Sequence, residues 1–233
     1  MKIEKKSTAV AIPDFKEIGF NVQENMEGVE PRLPQIGIIH QAQAFKMPDD
    51  SKVDEIEGII IDSNRVNAFW AKSFSEAGSG NPPDCFSFDA VRPNGEEPCA
   101  KTCAECKNNR YGTDGGRGKA CKNMRRVHIL IGDDILPYRL TLPPSGLRAV
   151  DDYLVQLTTK GRPYPTVITR VTLNSAKNKD GIEYSQPEFE MVSEINDLGE
   201  LAKIKELRTK LRATMHVQEV AAEEFASADK EAF

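Results

Sequence analysis

VHILIGDDILPYRLTL (127–142) runs almost directly into PSGLRAVDDYLVQLTTKG (144–161). The first stretch reads as two strands around a Gly-Asp-Asp turn. The second reads as a helix: Leu147, Val150, Leu154 and Leu157 recur at helical spacing, Ser145 suits the N-cap, and Gly161 suits the C-terminal end. Downstream, TVITRVTLN (166–174) alternates with period two. Val167, Thr169, Val171 and Leu173 share one side, opposite Ile168, Arg170 and Thr172. NKDG (178–181) is a turn signal, and YSQPEFEMV (184–192) is the return strand.

Upstream, QIGIIHQAQAF (35–45) reads as a strand ending at the turn signal MPDD. EGIIID (57–62) and VNAFW (66–70) read as two short strands with SNR as the turn between them, a hairpin in which Val66, Ala68 and Trp70 share a side. Near the end, LGELAKIKELRTKLRA (198–213) is helical, with Leu201, Ile204, Leu207 and Leu211 on one side.

Hairpins separated by a single helix suit a small antiparallel barrel or an α+β sheet and not a parallel βαβ fold. A five-stranded OB-type barrel is the natural candidate. The expected organisation is an irregular segment (1–34), an α+β, mainly antiparallel OB-like body (35–195) with an insertion at about 82–126, a helix (196–216) and a tail (217–233).

The chain has 233 residues, long enough for a proper hydrophobic core. It contains no run of about 18 apolar residues that would cross a bilayer. The N-terminal apolar run STAVAI (7–12) is too short for a signal-peptide core. A soluble, cytoplasmic protein is therefore expected.

All five cysteines lie between positions 85 and 121. In a reducing compartment such a cluster points to metal ligation more than to disulfides, and the odd count agrees. The spacing is C-x13-C-x3-C-x2-C-x14-C. Cys103 and Cys106 have the knuckle spacing that turns two thiolates toward one zinc ion. Cys121 follows the glycine-rich YGTDGGRGKA (111–120), which can bend back to supply a third ligand. Cys85 or Cys99 must supply the fourth. Cys85 is preferred because it ties remote segments together, Cys99 is the alternative, and His128, in an apolar strand, is a weaker one. Neither H-x-E nor H-E-x-x-H occurs, and His40, His128 and His216 lie far apart, so the expected zinc is structural and not catalytic. Metal binding also explains how a stretch poor in apolar residues can be ordered.

Residues 101–126 hold eight basic residues (Lys101, Lys107, Arg110, Arg117, Lys119, Lys122, Arg125, Arg126) and two acids (Glu105, Asp114), a local charge of +6 in a chain of net −5. Held in shape by a metal, such a segment matches a phosphate backbone. Tyr111 lies within it, and Trp70, Phe86 and Phe88 lie near its edges in sequence. Cations with stackable rings are what single-stranded nucleic acid needs. Arg139 and Arg170, on strands, extend the candidate groove. The segment also evokes a phosphate loop, but Thr113 and Ala120 stand where G-x4-G-K-[ST] needs Gly and Ser or Thr, so nucleotide binding is rejected.

From position 217 on there are five acids, one lysine and a terminal Phe233, a composition that does not favour packing.

PPDC, CAEC and GRGKAC, followed by LTLPPSGLRAVDDYL and PTVITRVTL, together with the Phe-tipped acidic end, resemble phage-type single-stranded DNA-binding proteins. The resemblance spans roughly residues 60–195 and the tail. It implies an OB-type fold with a zinc insertion, no enzymatic activity, and sequence-independent binding of DNA intermediates in replication or recombination. It also implies that the tail, through Phe233, recruits replication proteins. Lys230 and a lower acid content depart from the usual tail pattern. Two rivals belong to other classes. One is a zinc-stabilised protein-interaction module that modulates a host polymerase or another replication or transcription factor. The other is a nuclease using Asp133 and Asp134, although two acids in such a turn ordinarily just make the turn.

Overall fold

The computed structural model describes residues 32–71, 82–95, 98–116, 118–177 and 183–217, with residues 25, 27, 29 and 181 singly. The strands are β1 (Gln35–Ile39), β2 (Ala44–Lys46), β3 (Lys52–Val53), β4 (Glu55–Phe69), β5 (Cys85–Ser87), β6 (Lys122–Leu130), β7 (Tyr138–Leu142), β8 (Val167–Lys177) and β9 (Glu183–Glu194). The helices are α1 (Leu147–Thr159) and α2 (Leu198–Val217). All of them belong to the unit that begins at Leu33.

The strands form one sheet in the order β3-β2-β1-β7-β6-β4-β8-β9, with β5 paired to β4 outside that path. Every pairing is antiparallel except β1 with β7, which is parallel. The α+β class and the predominance of antiparallel pairing match the expectation from sequence. The sheet is mixed, however, and it curls into a half-barrel.

The concave side holds the main core. Phe45, Ile56, Ile60, Val127, Ile129, Leu140, Leu142, Val167 and Val171 pack there against Val150, Tyr153 and Leu157 of α1. The spacing of those three residues explains why α1 closes the core: they fall on one side of the helix. Tyr153 brings a hydroxyl into this interior and pairs it with Thr169 Oγ1 at 2.7 Å. Truncating one of the large core residues to Ala costs about 2–5 kcal/mol.

Two elements differ from the sequence expectation. QIGIIHQAQAF is not one strand. It breaks into β1 and β2 around a turn at His40–Gln43, where Gln43 has φ 49°. Nor do EGIIID and VNAFW form a hairpin, because β4 runs unbroken through Ser63, Asn64 and Arg65. The register slips between Ile60 and Asp62, which marks a β-bulge. Before the bulge Ile56 and Ile60 point into the core. After it Val66 and Ala68 point to the convex side, where they pack with Met124, Trp70, Phe86 and Phe88. The inward phase of the strand therefore flips without a turn, and a phase flip in sequence looks like a chain reversal.

The helix start also differs. Ser145 lies in a 3-10 turn (Pro144–Gly146), and the N-cap of α1 is Gly146, with no side-chain cap. A Cβ at Gly146 would stand 2.9 Å from Pro187 Cγ, so close approach to β9 sets this corner. Gly58 has the same role in β4, where a Cβ would meet the Leu130 carbonyl oxygen at 2.3 Å.

Helix α2 lies against the convex side. Ile204 and Met215 are buried with Ile61, Leu33 and Ile195, and Leu201, Leu207 and Leu211 pack around them. Asp197 caps its first turn, accepting from Glu200 N–H at 2.8 Å. Among the described residues, no helix is long and apolar enough to cross a membrane.

Candidate metal centre and basic surface

The end of β4 organises the cysteines. On one side β5 pairs Phe69 with Cys85. On the other, β6 pairs Ala68 with Lys122, which puts Cys121 at the next position along. Cys85 and Cys121 thus flank Phe69, although 35 residues separate them in sequence. Backbone bonds fold the intervening loop back onto this point. Cys103 N–H donates to Val91 O at 2.9 Å and Cys121 N–H to Asn108 O at 2.8 Å. Asn109 Nδ2 donates to Cys103 O at 2.9 Å.

All five thiols line one small cavity of about 10 Å³, together with Phe69 and Asn109. Space of that size takes a single water-sized sphere. Cys85, Cys103, Cys106 and Cys121 are buried. Cys99 is half-buried, and its sulfur accepts from Asn108 Nδ2 at 3.6 Å. No two cysteines are joined by a disulfide. Among the described residues, no three His, Cys, Asp or Glu side chains make a tight ligand group. His128 is not among the cavity's lining residues.

Burial pushes the Cys121 thiol up to about 12, with the neighbouring Cys103, Cys106, Cys85 and Cys99 adding to the effect. Burial, then Cys85 and Cys106, push Cys99 up to about 11, against the Asn108 hydrogen bond. Packed thiols resist ionising together because their thiolates would repel, and a divalent cation reverses that sign.

The basic segment divides into two groups. Lys101, Lys107, Arg110, Tyr111 and Lys119 are exposed in the loop, with Tyr111 76% exposed. The loop has internal order: Thr113 Oγ1 accepts from Ala120 N–H at 3.0 Å and donates to Arg110 O at 2.7 Å. Lys119 Nζ donates to Asn123 Oδ1 at 2.8 Å. Lys122, Arg125 and Arg126 lie on β6, which begins five residues earlier than the apolar pattern from Val127 indicates. Lys122 pairs with Asp114 at 2.8 Å. Arg125 and Arg65 face each other across strands, and Asp151 of α1 binds both, at 2.8 and 2.7 Å. Arg126 is fully buried on the convex side, its guanidinium 5.6 Å from the Phe88 ring centroid. Arg139 is buried beside His128 on β7.

Arg170 is set apart. Its guanidinium lies 2.8 Å from Glu57, 3.5 Å from Glu55 and 3.7 Å from Glu190, so its surroundings are net acidic. Trp70 and Phe86 are partly buried, and Phe86 meets Phe88 edge-on with centroids 5.0 Å apart. In the Gly-Asp-Asp turn, Asp134 accepts from the Tyr138 hydroxyl at 2.7 Å. Arg117 and Phe233 lie outside the described residues.

One cluster was not anticipated. The bulge turns Asp62 under α2, where it is 2% exposed. There it meets His216 Nε2 at 2.5 Å and Arg208 Nη2 at 3.4 Å, and Arg208 also donates to Tyr164 Oη at 2.9 Å. Burial works to raise the Asp62 pKa, but the His216 hydrogen bond and the charges of His216 and Arg208 outweigh it and hold the carboxyl below its usual range. The sequence signal was an aspartate ending the apolar run IIID.

No family model matches the chain, and no curated protein or solved structure matches it.

Proposed function

We propose that the chain is a sequence-independent single-stranded DNA-binding protein of replication or recombination, built on an OB-type barrel. In chain order β4, β6, β7, α1, β8 and β9 supply five strands in the spatial order β7-β6-β4-β8-β9, with a helix between the third and fourth. That is the strand order of an OB barrel, with β1 added beside β7. OB folds bind oligonucleotides on the face of their second and third strands and on the loop joining the first and second. Here that loop is the cysteine segment.

The observation that carries the proposal is this placement: the basic stretch that begins at Lys101 runs through the second half of the β4–β6 connection into β6, beside a five-thiol cavity at the end of β4. A zinc ion in that cavity supplies the folding energy a core-poor loop lacks. All-sulfur donors suit structural zinc. Cys85, Cys103, Cys106 and Cys121, the four buried thiols, are the ligands. Lys107, Arg110 and Lys119 track phosphates and Tyr111 stacks on bases, while Arg126 and Arg139 are buried in the strands and do not reach a ligand. Phe233 is the proposed contact for replication proteins, and the setting is the cytoplasm.

The test is a titration of labelled oligo-dT with metal content measured in parallel. With about six phosphates contacted, affinity falls on the order of several hundredfold between roughly 50 and 200 mM salt. Absence of binding at low salt, in protein that holds zinc, would sink the DNA reading. Capture of an acidic protein, insensitive to nuclease, would then favour the interaction-module alternative.

A further inference from the structure

β6 divides its cations between the two sides of the sheet. Arg126 shares the convex side with Met124, whereas Arg125 shares the concave side with Val127 and Ile129. Arg65 of β4 stands directly opposite Arg125. Two guanidiniums so placed repel each other. Asp151 of α1 answers both, 2.7 Å from Arg65 Nη2 and 2.8 Å from Arg125 Nη2. The two arginines are held unequally. Arg125 has 12% of its side chain exposed and also donates to Ser63 Oγ at 3.2 Å, so it is fixed. Arg65 has 57% exposed and can turn outward without disturbing Arg125.

The row continues toward the cysteine loop. Asn67 and Asn123 are the next pair outward on this side, joined at 2.7 Å, and Asn123 accepts from the exposed Lys119 Nζ at 2.8 Å. Polar side chains therefore connect Asp151 of α1 to the loop cations. The other end of β4 has the opposite sign, because Glu55 and Glu57, with Glu190 of β9, surround Arg170.

We propose that Arg65 is a phosphate contact on the path of the single strand, held by Asp151 in the free protein and handed to a phosphodiester when DNA binds. The proposal rests on the DNA reading above. A phosphate oxygen and a carboxylate oxygen offer a guanidinium the same kind of acceptor, so the exchange keeps the hydrogen bonds of Arg65. Arg125 stays with Asp151, so the carboxylate is not left unpaired. An exposed ion pair is worth little, so giving it up costs little. The glutamates at the far end of β4 confine a polyanion to the end that carries Arg65. The row contains no ring to stack on a base, so the contact adds affinity and no sequence preference.

The experiment titrates labelled oligo-dT with the full-length protein at several salt concentrations. Arg65→Ala should lower the slope of log affinity against log salt by about 0.7 and weaken binding about fivefold near 0.1 M salt. Asp151→Asn should tighten binding roughly two- to fivefold, because no ion pair has to be given up. Adding Arg65→Ala to it should abolish that gain. Asp152→Asn is the control: it removes the same charge one residue on, from a side chain paired with Arg148 at 3.5 Å, and should leave binding unchanged. Equal tightening by the two Asn variants, or a wild-type slope in Arg65→Ala, would overturn the inference and leave the DNA reading standing. Calorimetric binding of inorganic phosphate by wild type, lost in Arg65→Ala, would assign the site to the free ion and also overturn it. Wild type that binds no oligo-dT would overturn this inference and the DNA reading together.

Discussion

The Nδ1 atom of His40 accepts a hydrogen bond from Ser185 N–H at 3.2 Å, and the His40 carbonyl accepts one from the Ser185 hydroxyl at 3.1 Å. His40 directly follows β1 and Ser185 lies in β9, strands well apart in the sheet order. The two bonds hold the curl of the sheet. Ser185 is fully buried, and Ser185→Ala removes one of two donors to the His40 carbonyl, leaving the Gln43 N–H at 3.4 Å. The expected loss is about 0.5–1.5 kcal/mol in urea unfolding. A change below about 0.3 kcal/mol would mean that other contacts set the curl.

The cluster under α2 predicts an asymmetry. Asp62 is buried, whereas the Arg208 and His216 side chains are about one-third exposed, at 36% and 33%. Removing both partners strands a charge in the interior, so Arg208→Ala with His216→Ala should cost roughly 3–5 kcal/mol. Asp62→Ala leaves partners that can turn to water and should cost less, about 1–3 kcal/mol. Hydrogen exchange along α2 would report the loosening. The reverse order of costs would refute this account of how the helix is held.

His128 gives a pH signature. Burial pushes its imidazole down to about 3, against the pull of Asp62, and neither ring nitrogen has a hydrogen-bond partner among the described residues. The unfolded chain takes up this proton near pH 6.5. From about 6.5 down toward 3 the unfolded state binds more protons, so stability falls as the pH falls across that window and is fully present above it. His128→Leu should therefore outlast wild type in urea at about pH 5, by a margin that narrows toward about pH 7.5. A margin independent of pH would exclude a neutral buried ring.

Tyr111 and Arg170 separate the proposed DNA surface from its surroundings. Tyr111→Ala should weaken oligo-dT binding by about 1–3 kcal/mol if the ring stacks on a base. Its 76% exposure means that unfolding should be unaffected. Arg170→Ala, in its nest of glutamates, should leave binding unchanged and alter the salt slope little. An equal loss from both would argue for a diffuse electrostatic attraction with no stacking platform.

The legible parts of the fold were those set by local spacing. The row Leu201, Ile204, Leu207 and Leu211 names the side of α2 that packs on Ile61 and Ile195. The strands around Gly132 and the helix after Pro143 follow from period and punctuation alone. The bulge at Ile61 did not, because an unbroken strand whose phase flips carries the same pattern as two strands and a turn. In the candidate site, the C-x2-C spacing singled out Cys103 and Cys106. The flanking of Phe69 by Cys85 and Cys121 depends on strand register across the whole insertion, which no window of sequence contains. Arg170 reads as a groove cation until Glu55, Glu57 and Glu190 arrive from two other strands.

Because Cys85 and Cys121 sit on either side of one residue of β4, the segment between them leaves and rejoins the sheet at nearly the same place. Its ends are already held together by strand pairing. Lengthening or shortening it therefore adds little closure entropy, and the main core, which contains no residue from it, is undisturbed. The segment is a cassette. Beyond Phe86 and Phe88, which cover Val66, Ala68 and Met124 and so must stay, it can change length or charge while the sheet keeps its strands and register.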